Sequence, residues 1–382
     1  MLSAAGLAVF RNLNNARDAE GRLCTESVGV SPVSIGLALS MIRAGASKCE
    51  HGGAEKGSAT LEQILRLLGH DKIGNEDELD TLLAELVAKF DGNGVFVANS
   101  LWVDSSIKEE FVEKCKSVFS AGVHRLAPKE EINAYVEKKT GGHITDLLKA
   151  DPTGNLLLNT VYLKFTWFVE FDPRDSVAGA TFHGFSGEVP CRMMNRKKSA
   201  LNVCKVGSST VVLLPYANGL EKDEDDDDVF RFCAVFVLPR ETGASALVDA
   251  LDNVFGDVEA AIKSAMHHTT LVELSLPAFN VRTGTKPLRP VLEALGMRRA
   301  FQKEEAELDR MALGSAWVDE VLHSVVIEVD EAGTVATAAT AVATTKGPSR
   351  PVTKVYINRP FGFSVFDLHT RDTLFAASVV NP

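Results

Sequence analysis

AGTVATAATAVATT, residues 332–345, contains only Ala, Thr, Val and one Gly, carries no charge, and follows directly on VLHSVVIEVDE, residues 321–331. The preceding run is β-branched and apolar, and it reads as a strand. Strand alternation through the uncharged stretch places Thr334, Ala336, Ala338, Thr340 and Val342 on one face and Val335, Thr337, Ala339 and Ala341 on the other. Every side chain is small, β-compatible or both, so the segment can stand exposed as a loop or slide between two strands at little steric cost. Gly333 permits a bend at the junction. TKGPSRP, residues 345–351, then reads as a protruding polar turn open to proteolysis. A flexible linker is the competing reading, but linkers favour Gly, Ser, Pro or charge and join separable units. Only 37 residues follow here, and they read as core strands (KVYINRPFGFSVFD, then TLFAASVV).

Working outward, residues 1–150 read mainly as helices, at 34–43, 59–68, 78–90 and within 131–148, the last ending at Gly141-Gly142. VFVANSLWV, 95–103, is strand-like. After residue 155 the balance shifts to strands: LLLNTVYLKFTW, STVVLLPYA, FRFCAVFVLP and TTLVELSLPAF, with a helix at 288–295. No Pro/Gly/Ser-rich linker separates the two halves and no long-period repeat occurs. The expected architecture is a single α+β domain over 1–382, with helices covering large, mainly antiparallel sheets. EKDEDDDD, 221–228, separates two strands and reads as a solvated hairpin tip.

The 382 residues are 45% hydrophobic and 24% charged, with a formal charge of −11, so wholesale disorder and fibrous structure are excluded. The acidic balance argues against nucleic acid or an anionic membrane surface as partner. Six cysteines without C-x-x-C spacing do not make a disulfide framework or a metal site. The N-terminus has no basic segment before its apolar stretch and reads as an amphipathic helix, with Leu2, Leu7, Val9, Phe10 and Leu13 on one face. The longest uncharged run, 27–42, contains Pro32 and is too short for a membrane span. An intracellular protein is expected, or an extracellular one if a leader peptide has been lost. G-x-S-x-G, H-E-x-x-H and the phosphate- and dinucleotide-binding glycine motifs are absent. His267-His268 are adjacent, which suits neither a metal pair nor a triad. The residues thus give an enzyme no support beyond abundant carboxylates, which leave a hydrolase of unrecognised type as a third reading; the expectation is a protein that is not an enzyme and takes no cofactor.

HSVVIEVDEAGTVATAATAV, followed by NRPFGFSVFD and LFAASVVNP, resembles the reactive-loop region and C-terminus of the serpin family. VGVSPVSIGLALSM, NSLWVD, INAYVEKKTGGHITDLL, LNTVYLKFTW, LPAFNV and LEALGMRRAF fit in order, so the resemblance spans at least residues 7–382. It implies helices packed around three mainly antiparallel sheets, with an exposed reactive-centre loop at 331–354 and 221–228 as an acidic hairpin insertion. It further implies a monomeric serine protease inhibitor that acts as a suicide substrate. The loop is cut, the protease is trapped as an acyl-enzyme, and the loop enters the main sheet as a new strand. A carrier, chaperone or storage role is the alternative.

Carried over by resemblance, Glu331, Gly333 and Thr334 match the hinge where insertion begins, and Ala336, Ala338 and Thr340 its inward face. Ser31, Ser34, Asn159 and His323 match the polar cluster under the main sheet, called the shutter. Trp167 matches the aromatic where the loop enters, the breach. This chain departs from the family pattern at Ala332, Val335, Thr337 and Ala377, none of which puts Pro or charge into the inserting stretch. Ala278 stands where some members carry a Lys that pairs with the hinge Glu, so that ion pair is expected to be missing. Control by a sulfated polysaccharide is not expected, because 76–91 holds six acids against Lys89 alone.

Counting about 17 residues from Glu331, as the family does, reaches Gly347, whose following bond leads into Pro348 and is a poor substrate. Arg350 precedes Pro351 and is excluded likewise. Lys346–Gly347 is the predicted reactive bond, with a trypsin-like serine protease as covalent partner. Thr344, Thr345 and Ser349 are the fallbacks, and an elastase-like enzyme or a cysteine protease is the alternative target.

Overall fold

The computed structural model describes residues 2–18, 21–23, 25–51, 54–70, 76–90, 94–104, 106–219, 221–222, 228–334 and 351–382. The chain gathers into two interleaved compact units. One comprises residues 1–9, 30–162 and 283–326, the other 10–29, 163–282 and 327–382. No single cut in the sequence separates them, in keeping with the missing linker.

The first unit is built on a sheet in which Gly122–Arg125, Val95–Val103, Leu156–Leu163 and Glu320–Val329 follow one another. Leu156–Leu163 and Glu320–Val329 run parallel, from Leu156 opposite Glu320 to Tyr162 opposite Val326. Helix Pro32–Gly45 (PVSIGLALSMIRAG) is apolar on nearly every side, and all its residues are buried. Its N-terminal end lies close to helix Ser3–Asn14, where a Cβ on Gly6 would come within 2.2 Å of Pro32 Cα. Helix Lys129–Lys139 is amphipathic and buries only Ile132 and Val136. They pack with Ile144, Leu147 and Leu148 on Trp102, Leu156, Leu158 and Val326. Strand alternation sends Leu157, Asn159 and Val161 to the opposite face.

In the second unit the main sheet runs Val28–Val30, Asp372–Val379, Phe361–Asp367, Phe232–Leu238, Ser209–Pro215, Gly187–Val206, Thr269–Pro277 and Thr353–Tyr356, with Val177–Gly184 paired to the long strand Gly187–Val206. That twenty-residue strand pairs along its length with Val177–Gly184, Thr269–Pro277 and Ser209–Pro215, so two of the sheets implied by the resemblance are continuous. Phe279 meets the rings of Phe361 and Phe363 edge-on at 5.4 and 5.2 Å, which anchors the C-terminal strands.

The predicted elements are present with small shifts at their ends: Pro32–Gly45, Ala59–Leu67, Glu76–Phe90, Val95–Val103 and Arg289–Ala294. Three helices lie outside the sequence reading. Glu109–Phe119 buries a single stripe, Phe111, Cys115 and Phe119, and most of its other residues are charged. Ala244–Phe255 and Val258–Met266 interrupt the stretch read as strands, although Leu247, Leu251, Val254 and Phe255 repeat at helical spacing.

Candidate functional site

In the first unit the four predicted shutter residues come together and are all but fully buried. His323 sits in mid-strand opposite Asn159. The Ser31 N–H donates to His323 Nε2 at 3.0 Å, so that nitrogen carries no proton. Nδ1 therefore bears it and donates toward Asn159 O and Oδ1, at 3.2 and 2.5 Å. Burial lowers the pKa of His323 from 6.5 to about 4, which keeps the ring neutral at physiological pH. The Asn159 amide nitrogen faces Ser34 O at 2.9 Å, Ser34 Oγ, and Asn99 Oδ1 at 2.6 Å. It faces more acceptors than it has protons. The cluster thus ties two parallel strands to the buried helix through small polar groups whose bonds can be exchanged. Asn99 is a fifth member, not found from the sequence; the polar pair Asn99-Ser100 inside an otherwise apolar strand is its only signal.

In the second unit, Glu320–Val329 ends in a tight turn. Asp330 N–H donates to Gly333 O at 2.8 Å, and Asp330 Oδ1 accepts from the N–H groups of Ala332 and Gly333 at 2.9 and 3.1 Å. Gly333–Thr334 then pairs antiparallel with Phe165–Thr166. Gly333 has φ 150°, and a Cβ there would lie 2.1 Å from Phe165 O, so only glycine fits. Trp167, the next residue along from Phe165–Thr166, continues that pairing. Its backbone N–H donates to Ala332 O and its Nε1–H to Asp330 O, both at 3.0 Å. The ring stacks on Tyr216, centroids 4.5 Å apart and 8° from parallel. Tyr216 and Thr334 share a hydroxyl–hydroxyl hydrogen bond of 3.0 Å, and both side chains are buried. The predicted hinge residues Glu331, Gly333 and Thr334 and the breach residue Trp167 are thus assembled in one place.

Position 278 supplies no cation, but the hinge glutamate has a different ion-pair partner, Arg192, which donates through Nε to Glu331 Oε1. Position 278 is indeed alanine, but its backbone N–H pairs with Arg192 O at 2.8 Å, so the cation is supplied from the adjacent strand. Partial burial works to raise the Glu331 carboxyl, yet hydrogen bonds, with Arg192 among the donors, outweigh it and hold it below its ordinary value. Arg192 and Tyr216 carry no sequence signal of this role.

Ala336, Ala338, Thr340, Lys346 and Gly347 fall within 335–350, outside the described residues. The chain is described again from Pro351, and Thr353–Tyr356 pairs parallel with Thr269–Pro277. At the predicted hairpin Glu221 pairs with Val229 and Lys222 with Asp228, while 223–227 lie outside the described residues. Among the described residues no His/Cys/Asp/Glu group could hold a metal, and no helix is long and apolar enough to cross a membrane.

The family model described as serpin (serine protease inhibitor) matches residues 4–382. Alpha-1-antiproteinase 2 of Equus caballus is 28% identical over 374 residues, covering 94% of this chain and 82% of the relative. Serpin-ZXA of Oryza sativa subsp. japonica is 29% identical over 385 residues, covering 93% and 90%. Among solved structures, the thermophilic serpin tengpin in its native state superposes with a TM-score of 0.81 at 26% identity, over 100% of this chain and 93% of that one. Human thyroxine-binding globulin complexed with thyroxine gives 0.79 at 22% identity, over 100% and 98%, a likeness of fold.

Proposed function

The chain belongs to the serpin family, and from that premise we propose that it inhibits a trypsin-like serine endopeptidase as a suicide substrate. The observation that carries this reading is the hinge: Gly333–Thr334 is already turned back and paired antiparallel with Phe165–Thr166. Leu156–Leu163 and Glu320–Val329 run parallel as neighbours. A strand entering between parallel neighbours lies antiparallel to both, and a tight turn at the end of one of them produces that direction. Continued pairing would extend the register begun at Phe165. It would carry Ala336, Ala338 and Thr340 inward, small and uncharged as a buried position requires.

In the proposed reaction the protease serine Oγ attacks the Lys346 carbonyl, and the amine of Gly347 leaves. The resulting acyl-enzyme has two fates. If the loop inserts before water hydrolyses the ester, the enzyme is carried along and trapped. If not, the loop is simply cleaved and the inhibitor is spent.

The test is incubation with trypsin-, elastase- and chymotrypsin-like enzymes followed by denaturing electrophoresis. A covalent complex with a trypsin-like enzyme, and a released fragment beginning at Gly347, are expected. Digestion of the loop by every enzyme without a complex overturns inhibition in favour of a carrier, chaperone or storage role.

A further inference from the structure

Tyr216 follows directly on strand Ser209–Pro215, with its ring between Phe165 and Trp167 and its hydroxyl on Thr334. Among the described residues Thr334 is the side chain that bonds this hydroxyl, and Tyr216 is 0% exposed. The two ends of the bond are not equivalent. A threonine leaving the turn regains water as a partner, whereas the phenol left behind stays buried with its polar group bare. Withdrawing the hinge therefore exacts its cost at Tyr216.

The backbone around the pair points the same way. Ala332 and Glu331 carbonyls accept from the N–H groups of Trp167 and Phe171 at 3.0 and 2.9 Å, so the turn is fastened to the segment on which the Tyr216 ring rests. Gly333 lies too close to Phe165 O for any side chain, so residue 334 is the first that can report its position through a side chain.

Resting on the reading of the chain as an inserting inhibitor, we propose that Tyr216 is a positioning residue for insertion: its hydroxyl holds Thr334 in the sheet register before any protease arrives. The first rung of the new strand is then in place at rest. The first pairs of a strand order backbone with few bonds to offset the lost entropy, so a rung already formed shortens the slow start of insertion. A faster start shifts the acyl-enzyme toward trapping and away from hydrolysis.

The test uses the full chain with Tyr216→Phe, which keeps the ring stack, and with Thr334→Val, Thr334→Ser and the Tyr216→Phe/Thr334→Val double. Hydrogen exchange at the Trp167 and Phe171 amides reads the hinge without any protease. Exchange is expected to be about fivefold faster in Tyr216→Phe and Thr334→Val, the effect of one lost buried bond, and wild-type in Thr334→Ser, which keeps the hydroxyl. The double is expected to be no faster than either single, because one bond serves both. The moles of inhibitor consumed per mole of trypsin trapped should rise in the same variants. Unchanged exchange in Tyr216→Phe, or single effects that multiply in the double, would show that Tyr216 only fills space and overturns the proposal. A wild-type chain that traps no protease defeats the inhibitory reading separately, while the exchange measurement still decides whether Tyr216 holds the hinge.

Discussion

Gly333 and His323 show how much single positions carry. Gly333 combines φ 150° with a Cβ position 2.1 Å from a backbone oxygen, so Gly333→Ala must either strain the backbone or push Gly333–Thr334 off Phe165–Thr166. The expected cost is about 1–3 kcal/mol in denaturant unfolding, together with faster amide exchange at Trp167. His323 makes stability depend on pH. Its pKa is depressed from 6.5 to about 4 by burial, so between those values the unfolded chain binds the proton and the folded chain does not. The contribution is complete above pH 6.5 and is lost as the pH falls toward 4, by up to about 3 kcal/mol. Urea midpoints measured from pH 7 to pH 4 should show this slope, and His323→Gln should flatten it. A slope that survives the substitution would assign it to other groups. In the bare sequence His323 is one of nine histidines; its ten-residue distance to Gly333, taken with the resemblance, singles it out.

Between elements, the ion pair linking the hinge turn to strand Gly187–Val206 is the feature the sequence concealed. Arg192 and Glu331 are 139 residues apart, and nothing local in CRMMNRKK marks one base from the next. Partial exposure limits such a pair to about 1 kcal/mol or less. A double-mutant cycle with Arg192→Ala and Glu331→Ala should give a coupling of that size, and the charge swap Arg192→Glu/Glu331→Arg should recover most of it. Zero coupling would reduce the pair to a surface contact. For the inserting segment, Ala338→Glu places a charge on the predicted inward face. It should leave loop cleavage intact while abolishing the covalent complex, since a buried unpaired carboxylate costs several kcal/mol. Persistent trapping by that variant would refute the predicted register. The strands were legible from their β-branched runs. Helix Glu109–Phe119 was not, because its single apolar stripe is diluted by charge.

For the whole molecule, insertion predicts that the cut protein is more stable than the intact one. Limited cleavage within 335–350 should raise Tm, because a new strand with small inward side chains adds sheet pairing without a buried charge. A cleaved form that melts at or below the intact one would show that the loop does not enter the sheet. The net charge of −11 is a poor guide at this scale, since 221–228 alone supplies six of the excess negative charges. Against that acidic body, residues 345–354 carry Lys346, Arg350 and Lys354 and no acid, which suits a protease that selects basic residues.

The sequence by itself determined the α+β class, most strands, the buried helix Pro32–Gly45, and the position of a small, uncharged segment before a basic turn. Those properties are local, set by periodicity, side-chain size and charge along a few consecutive residues. Only the tertiary structure decided what the hinge touches. Arg192 in place of residue 278, Tyr216 on Thr334, and Asn99 beside Asn159 depend on which strands lie next to each other and in what register. Register is fixed by packing over the entire sheet, and a slip of one residue would turn each of these side chains to the other face.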